Sequence, residues 1–354
     1  MDYSKKSTYL FSIDALRVIA ILAVILIHIT TKTLATLHID ITQAFFSLFL
    51  NQTARFAVPL FFIISGFVLE LNNKSGISYK AFFEKRASKI IIPFVFWSTL
   101  YFIFAPEYGI SKLLSLNFIW ILIQGMAAYH LYFIPTLIIF YLAFPFLHGM
   151  MNVLKNPFVM IIILLVQSIL LFQDYYIKQL TLQYDLRIAS LSFSMFILGM
   201  VGSHYKDFIF KFVKKYFFVF IIALLILPTT IFLHVKELTL VSKSSRYIYN
   251  QFSLLNYVYT TVFALLFYFI LEKTQFLRNY FITLSKLSFF VFFFHVMVQY
   301  ILWDNVIAKV IESKGIGILK NVWFDPIIFT VIATISFTTA YFVHKITWAP
   351  KITG

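Results

Sequence analysis

Cysteine is absent from the 354-residue sequence, which excludes disulfides, thiolate nucleophiles and cysteine-bound zinc or iron–sulfur centres at once. It leaves the redox compartment open. Charge is scarce as well: Asp, Glu, Lys and Arg make up 12% of the residues while 61% are hydrophobic, against roughly 25% charged residues in an ordinary soluble domain. No soluble core absorbs that much apolar surface. Acidic residues are the rarer charge, 14 against 29 Lys and Arg. The cations stand in short stretches between apolar runs, where orientation in a membrane accounts for them, so nucleic acid is not expected as a partner. There is no 20 to 50-residue repeat and no linker rich in Pro, Ser or Gly. A single membrane domain over residues 1–354, with no appended soluble domain, is the expectation.

What is present is apolar sequence in span-sized blocks. At roughly 17 to 25 residues per crossing, helices are expected near 10–30, 45–70, 90–105, 130–149, 157–173, 187–204, 216–234, 255–272, 286–303 and 326–346. The fold class is therefore an all-α polytopic integral membrane bundle of about ten transmembrane helices. The stretch Phe118 to Ala128 is apolar but too short to cross, and reads as re-entrant or interfacial. Lys5 and Lys6 before the first apolar run resemble a secretory signal, but the run contains Asp14 and Arg17 and lacks a small-residue cleavage pattern, so it reads as a retained span. By this division seventeen Lys and Arg fall on the side of the N-terminus and about nine on the other. The positive-inside rule then puts both termini in the cytoplasm of a multi-pass protein of the cell membrane, of bacterial type.

Ionisable residues within spans are expensive and call for a functional hypothesis. The first span carries Asp14, Arg17 and His28. Eleven residues, close to three turns, put Arg17 and His28 on one helical face about 16 Å apart along the axis, and Asp14 lies one turn from Arg17, within pairing reach. Two readings stand: Arg17 snorkels to the headgroups and His28 bonds a neighbouring helix, or both serve a site. The second span adds Arg55 at a depth similar to His28, and an arginine facing lipid there costs several kcal/mol, so it should face an internal cavity. Ser65–Gly66 lies near the depth of Arg17, where close helix packing is the simpler role. Arg86 and Lys89 belong to a cationic stretch below the third span, which orients the span or binds anionic membrane lipid. His130 and His295 lie in apolar surroundings, His295 in mid-span. His38, His148, His204, His234 and His344 fall at helix ends or in loops, where no special role is implied.

The Asp14-Ala15-Leu16-Arg17 opening, the Arg17 to His28 spacing and the Leu60 to Phe67 segment with Ser65-Gly66-Phe67 resemble the membrane acyltransferase family 3. The aromatic segment His130 to Phe133 and the segment Ser288 to His295 extend the likeness over nearly the whole chain. The resemblance implies a ten-helix protein that moves an acyl group, usually acetyl, onto an extracytoplasmic carbohydrate. Family members often carry two arginines three apart below the third span; here the second is Lys89, which keeps the charge but loses bidentate phosphate binding.

On that basis the expected activity is O-acyl transfer from cytoplasmic acyl-coenzyme A, most simply acetyl-coenzyme A, to a carbohydrate or cell-envelope glycan hydroxyl. His28 would act as general base, Arg17 would guide the donor and Arg55 would stabilise the oxyanion. Asp14, Ser65, Arg86, Lys89, His130 and His295 are the candidate donor- or substrate-binding positions. No metal site and no permanently bound cofactor are expected. Two other classes stand beside this one: a transporter of lipid-linked sugar or polysaccharide that does no covalent chemistry, whose pathway would also be lined by buried charge, and a non-catalytic partner of a polysaccharide synthase.

Overall fold

The structure, a computed structural model, describes residues 10–37, 44–74, 76–104, 116–177, 179–180, 184–274 and 277–346. These residues form helices, turns and short connections, with no strand among them. Nine helices among the described residues are long and apolar enough to cross a membrane: Phe11–Thr36, Phe45–Asn73, Tyr79–Phe104, Pro157–Ile177, Leu186–His204, Phe217–Ser242, Arg246–Thr274, Arg278–Lys314 and Phe324–His344. The shorter apolar helix Phe133–Gly149 falls fourth in chain order, corresponds to the expected span at 130–149 and brings the number to ten among the described residues. The protein is an all-α polytopic membrane bundle. The termini, expected to be cytoplasmic, lie at residues 1–9 and 347–354, outside the described residues.

The first, second and sixth helices form the centre, with 67%, 72% and 67% of their most apolar windows buried, whereas only 22%, 17% and 22% of the fifth, seventh and tenth are covered by protein. Those three face outward, where uninterrupted apolar sequence suits lipid. Second and sixth helices approach closely through glycine. A Cβ on Gly66 would stand 2.0 Å from the Phe196 carbonyl oxygen, and one on Gly199 would stand 2.0 Å from the Ile63 carbonyl oxygen. Helix association in lipid depends on such contact because no hydrophobic force drives it. Gly199→Val should therefore separate the two helices. The expected outcome is a large loss of folded protein on size-exclusion chromatography in detergent, with the same substitution at Gly149, which has open space around it, leaving the yield unchanged.

Two helices depart from regular α-geometry where proline requires it. The second helix runs Phe45–Ala54 and Ala57–Asn73 with a break at Arg55–Phe56. The ring of Pro59 would meet the carbonyl four residues back, which is that of Arg55. That carbonyl turns away and accepts from Asn256 Nδ2 at 3.1 Å. In the third span, Pro93 would likewise meet the Lys89 carbonyl, and the chain widens into a π-turn over Ala87–Ile91 between helices Tyr79–Arg86 and Ile92–Phe104. The cationic stretch is thus helical throughout, continuous with the span rather than a loop beneath it.

The stretch before the fourth helix does not cross. It is an eight-residue helix, Leu116–Ile123, followed by turns up to Tyr132. The reversal needs Gly125, whose φ is 64° and whose Cβ would lie 2.7 Å from the Leu131 carbonyl oxygen. A side chain is strained at that φ and blocked by that oxygen. The turn delivers Tyr129 and His130 to the interior.

Candidate functional site

A cavity of about 510 Å³ opens at the end of the bundle where the first helix finishes. His28 and Arg55 both line it, as their matching depths require. Arg55 is 5% exposed and is held only by neutral oxygens: Asn51 Oδ1 accepts from Nε at 3.0 Å and from one terminal nitrogen at 2.8 Å, and the Ile248 and Tyr249 carbonyls accept at 2.9 and 3.2 Å. Asn51 is fixed in turn by donating to Thr30 Oγ1 and Thr31 Oγ1 at 2.9 and 3.0 Å. The break at Pro59 and the polar residues on the first helix together aim this cation. No carboxylate among the described residues bonds it.

Three imidazoles cluster here, those of His28 and His130 on the cavity wall and that of His295 packed against them. The rings of His28 and His295 stack with centroids 5.3 Å apart, His130 lies 5.4 Å from His295, and His28 and His130 are 6.2 Å apart. They come from the first helix, the turn before the fourth and the ninth helix, so 165 residues of chain separate the second from the third. His295 Nδ1 is 2.9 Å from the Val291 carbonyl oxygen. That oxygen only accepts, so Nδ1 carries the proton and the lone pair resides on Nε2, which is buried without a hydrogen-bond partner. The Phe293 carbonyl faces the His130 ring but already accepts from the Tyr101 hydroxyl at 2.5 Å, and neither ring nitrogen of His130 has a bond of hydrogen-bond geometry among the described residues. Buried polar atoms without partners are costly and uncommon.

The surroundings hold His28 by its backbone and its edge. Gln299 Nε2 donates to the His28 carbonyl at 3.0 Å and Gln299 Oε1 accepts from the Tyr129 hydroxyl at 2.9 Å, while the Tyr129 ring lies edge-on to the His28 ring at 4.8 Å. One glutamine on the ninth helix thereby clamps the first helix to the His130 turn. Gln299 and Tyr129 carry no signal in the sequence beyond being polar residues in apolar runs.

Arg17 and Asp14 lie at the opposite end of the first helix. They pair at 3.1 Å, and Asp14 also accepts from Ser285 Oγ at 2.8 Å. Tyr141 on the fourth helix lies within electrostatic reach of Ser65, Arg17 and Arg86. The Arg86 guanidinium lies over the rings of Phe82 and Tyr141, 4.8 and 5.4 Å from their centroids, and its Nε is buried without a hydrogen-bond partner. Tyr141 therefore stands between Arg17, Ser65 and Arg86, a meeting of four helices that spacing does not disclose. Lys89 is exposed and has no ion pair or hydrogen bond among the described residues.

At the same end, Glu70 is 1% exposed and is bridged by His148 Nδ1 and His204 Nε2, each at 2.8 Å. Both histidines sit at helix ends and were expected to carry no special role; they serve as the partners of this buried carboxylate. Among the described residues no group of three or more His, Asp or Glu is arranged to hold a metal ion.

The sequence reading also misses two arginines at the cavity. Arg187 makes a two-pronged pair with Asp174, both bonds 2.6 Å, and the Arg246 guanidinium bonds the Asp174 backbone carbonyl. Both line the cavity. Arg187 stands at the start of the expected span 187–204 and Arg246 in the connection before the expected span 255–272, places where an arginine passes for a topogenic charge.

A helical bundle whose cavity is lined by histidines and by a buried arginine without a carboxylate partner among the described residues carries ionisable groups within its spans that are costly unless they serve a function. The family model for the acyltransferase domain of family 3 matches residues 10–344. The chain belongs to acyltransferase family 3 and is a membrane acyltransferase. No match was found among the curated proteins or among the solved structures.

Proposed function

We propose that the protein transfers an acyl group, most simply acetyl, from cytoplasmic acyl-coenzyme A to a hydroxyl of an extracytoplasmic carbohydrate, with the reaction at the His28 cavity. The observation that carries this reading is the pairing in one cavity of an imidazole and a buried guanidinium with no carboxylate partner. A hydroxyl is a poor nucleophile at neutral pH, and a neutral imidazole accepts its proton as the oxygen attacks. The thioester carbonyl becomes an oxyanion, which a preorganised, unneutralised cation stabilises. The carbon–sulfur bond then breaks, the ester is released, and the proton taken by His28 passes to the departing thiolate. Acyl-coenzyme A and alcohol become ester and coenzyme A, with no other reactant.

His295 suits a supporting role. Its tautomer is fixed by Val291, and its ring stacks on that of His28. His130 completes the apolar-walled cluster, in which water competes little for the transferred group. At the other end, Arg17 and Arg86 would receive the donor's phosphates, with Tyr141 and Ser65 between them. Arg86 forms no salt bridge among the described residues and retains capacity for phosphate. Lys89 would contribute only a screened surface charge. The Lys and Arg asymmetry of the connecting segments supports placing that end in the cytoplasm.

The test uses membranes containing the full chain, supplied with acetyl-coenzyme A labelled in the acetyl group. Appearance of the label as an alkali-labile ester on envelope glycan, detected by mass spectrometry and dependent on the protein, is the expected result. Glycan that crosses the membrane unmodified while the donor stays intact would favour transport without chemistry.

A further inference from the structure

We infer that the cavity binds an acceptor that carries phosphate, a phosphorylated sugar, through Arg55, Arg187 and Arg246. The inference deepens the acyl-transfer reading and rests on it for the word acceptor, but the phosphate site stands on its own geometry.

Among the described residues three guanidiniums line this cavity and no Asp or Glu does. Arg55 and Arg187 are 5% and 8% exposed. The carboxylate paired with Arg187, Asp174, is 0% exposed and fully engaged: Oδ1 and Oδ2 take the two prongs of Arg187, and Oδ1 also accepts from the Leu180 backbone N–H at 3.0 Å. Its charge offsets one guanidinium and leaves, among the described residues, a surplus of two positive charges on the wall. Within that set the Arg246 side chain bonds only the Asp174 main chain, and its Nε is buried with no partner. Arg55 is bonded to neutral oxygens alone.

A surplus of two charges, Arg55 buried and Arg246 half-buried, is costly in a bundle surrounded by lipid. A ligand of matching charge removes that cost. One carboxylate would neutralise half of it, whereas a phosphate monoester approaches two negative charges and offers three oxygens to guanidinium forks. The volume is of the size that holds a small polar ligand. The cations lie at the His28 end, away from Arg17 and Arg86, so a phosphate bound here belongs to the hydroxyl-bearing partner rather than to the thioester donor. Anchoring that phosphate would orient the acceptor's hydroxyls toward His28.

The experiment titrates the purified full-length protein with glucose 1-phosphate, glucose and acetyl-coenzyme A by calorimetry, in lipid nanodiscs of phosphatidylcholine and again in phosphatidylglycerol. Glucose 1-phosphate should bind at least tenfold more tightly than glucose in both lipids. Arg246→Gln should remove most of that advantage and Arg246→Lys should retain part of it, while both variants bind acetyl-coenzyme A as the parent does. Equal binding of the two sugars, or an advantage unaffected by Arg246→Gln, overturns the inference. So does an advantage seen in phosphatidylcholine and abolished in phosphatidylglycerol, because the arginines would then be lipid headgroup ligands. Weakened acetyl-coenzyme A binding in Arg246→Gln overturns it in another way, by assigning the cations to the donor. If acetyl-coenzyme A binds neither parent nor variant while glucose 1-phosphate behaves as expected, the phosphate site stands and the acyl-donor reading fails.

Discussion

His28→Ala should lower acyl transfer by about two to four orders of magnitude, the range over which a positioned general base contributes. The fold should survive, because His28 is only half-buried, lines open space and makes no side-chain hydrogen bond among the described residues. Its clamp acts through the backbone carbonyl, which alanine keeps. The measurement is single-turnover ester formation from labelled acetyl-coenzyme A, alongside donor binding to the same sample. Donor binding should be unchanged, since the cations proposed to hold it lie about 16 Å along the helix. His28→Gln, which retains a polar side chain but takes no proton at neutral pH, should be as inactive as His28→Ala. Normal ester formation in either variant would remove His28 from the reaction. His295→Ala should cost less than His28→Ala, because its ring stacks on the base rather than lining the cavity.

The second large effect is on stability. Asp174→Ala leaves the Arg187 guanidinium, 8% exposed, without its two-pronged partner, and breaking a buried pair from one side costs roughly 3–5 kcal/mol. The bonds from Leu180 and Arg187 at 3.0 and 2.6 Å are lost together, so the cavity rim between the fifth and sixth helices should loosen. Thermal unfolding of the detergent-solubilised protein should shift down by several degrees. Replacing both partners, Asp174→Leu with Arg187→Met, should recover much of the loss, because a well-packed apolar pair avoids desolvating either charge. A single substitution no more harmful than the double would show that the pair contributes little.

Much of this protein is legible without coordinates, for reasons particular to membranes. A segment that crosses lipid must be apolar over a fixed length and must satisfy its own backbone, so the ten spans, the non-crossing stretch before the fourth and the family motifs all stand in the linear sequence. Helical periodicity adds rotation and depth. That is why Arg17 and Asp14 pair as spaced, and why His28 and Arg55 share a cavity. Proline positions foretell less: Pro59 and Pro93 announce irregularity, but which carbonyl is freed, and that Asn256 takes up the one from Arg55, depends on a neighbour two hundred residues away.

What periodicity omits is which helices adjoin. The distance in sequence between His130 and His295, the meeting of Arg86 with Tyr141, and the two histidines that bridge Glu70 all depend on lateral packing, set in lipid by close contacts such as Gly66 with Phe196 and Gly199 with Ile63. Arg187 and Arg246 were hidden for a different reason: arginine at a span boundary has a ready topological use, and only the enclosed wall around Asp174 distinguishes them from that background. The sequence alone determined that there is a bundle, its family, and a histidine and an arginine at one depth. Tertiary structure decided that two imidazoles, packed against a third, share a single cavity with three guanidiniums, because in a bilayer depth is dictated by hydrophobicity along the chain, whereas neighbours are chosen by the shapes of helix surfaces.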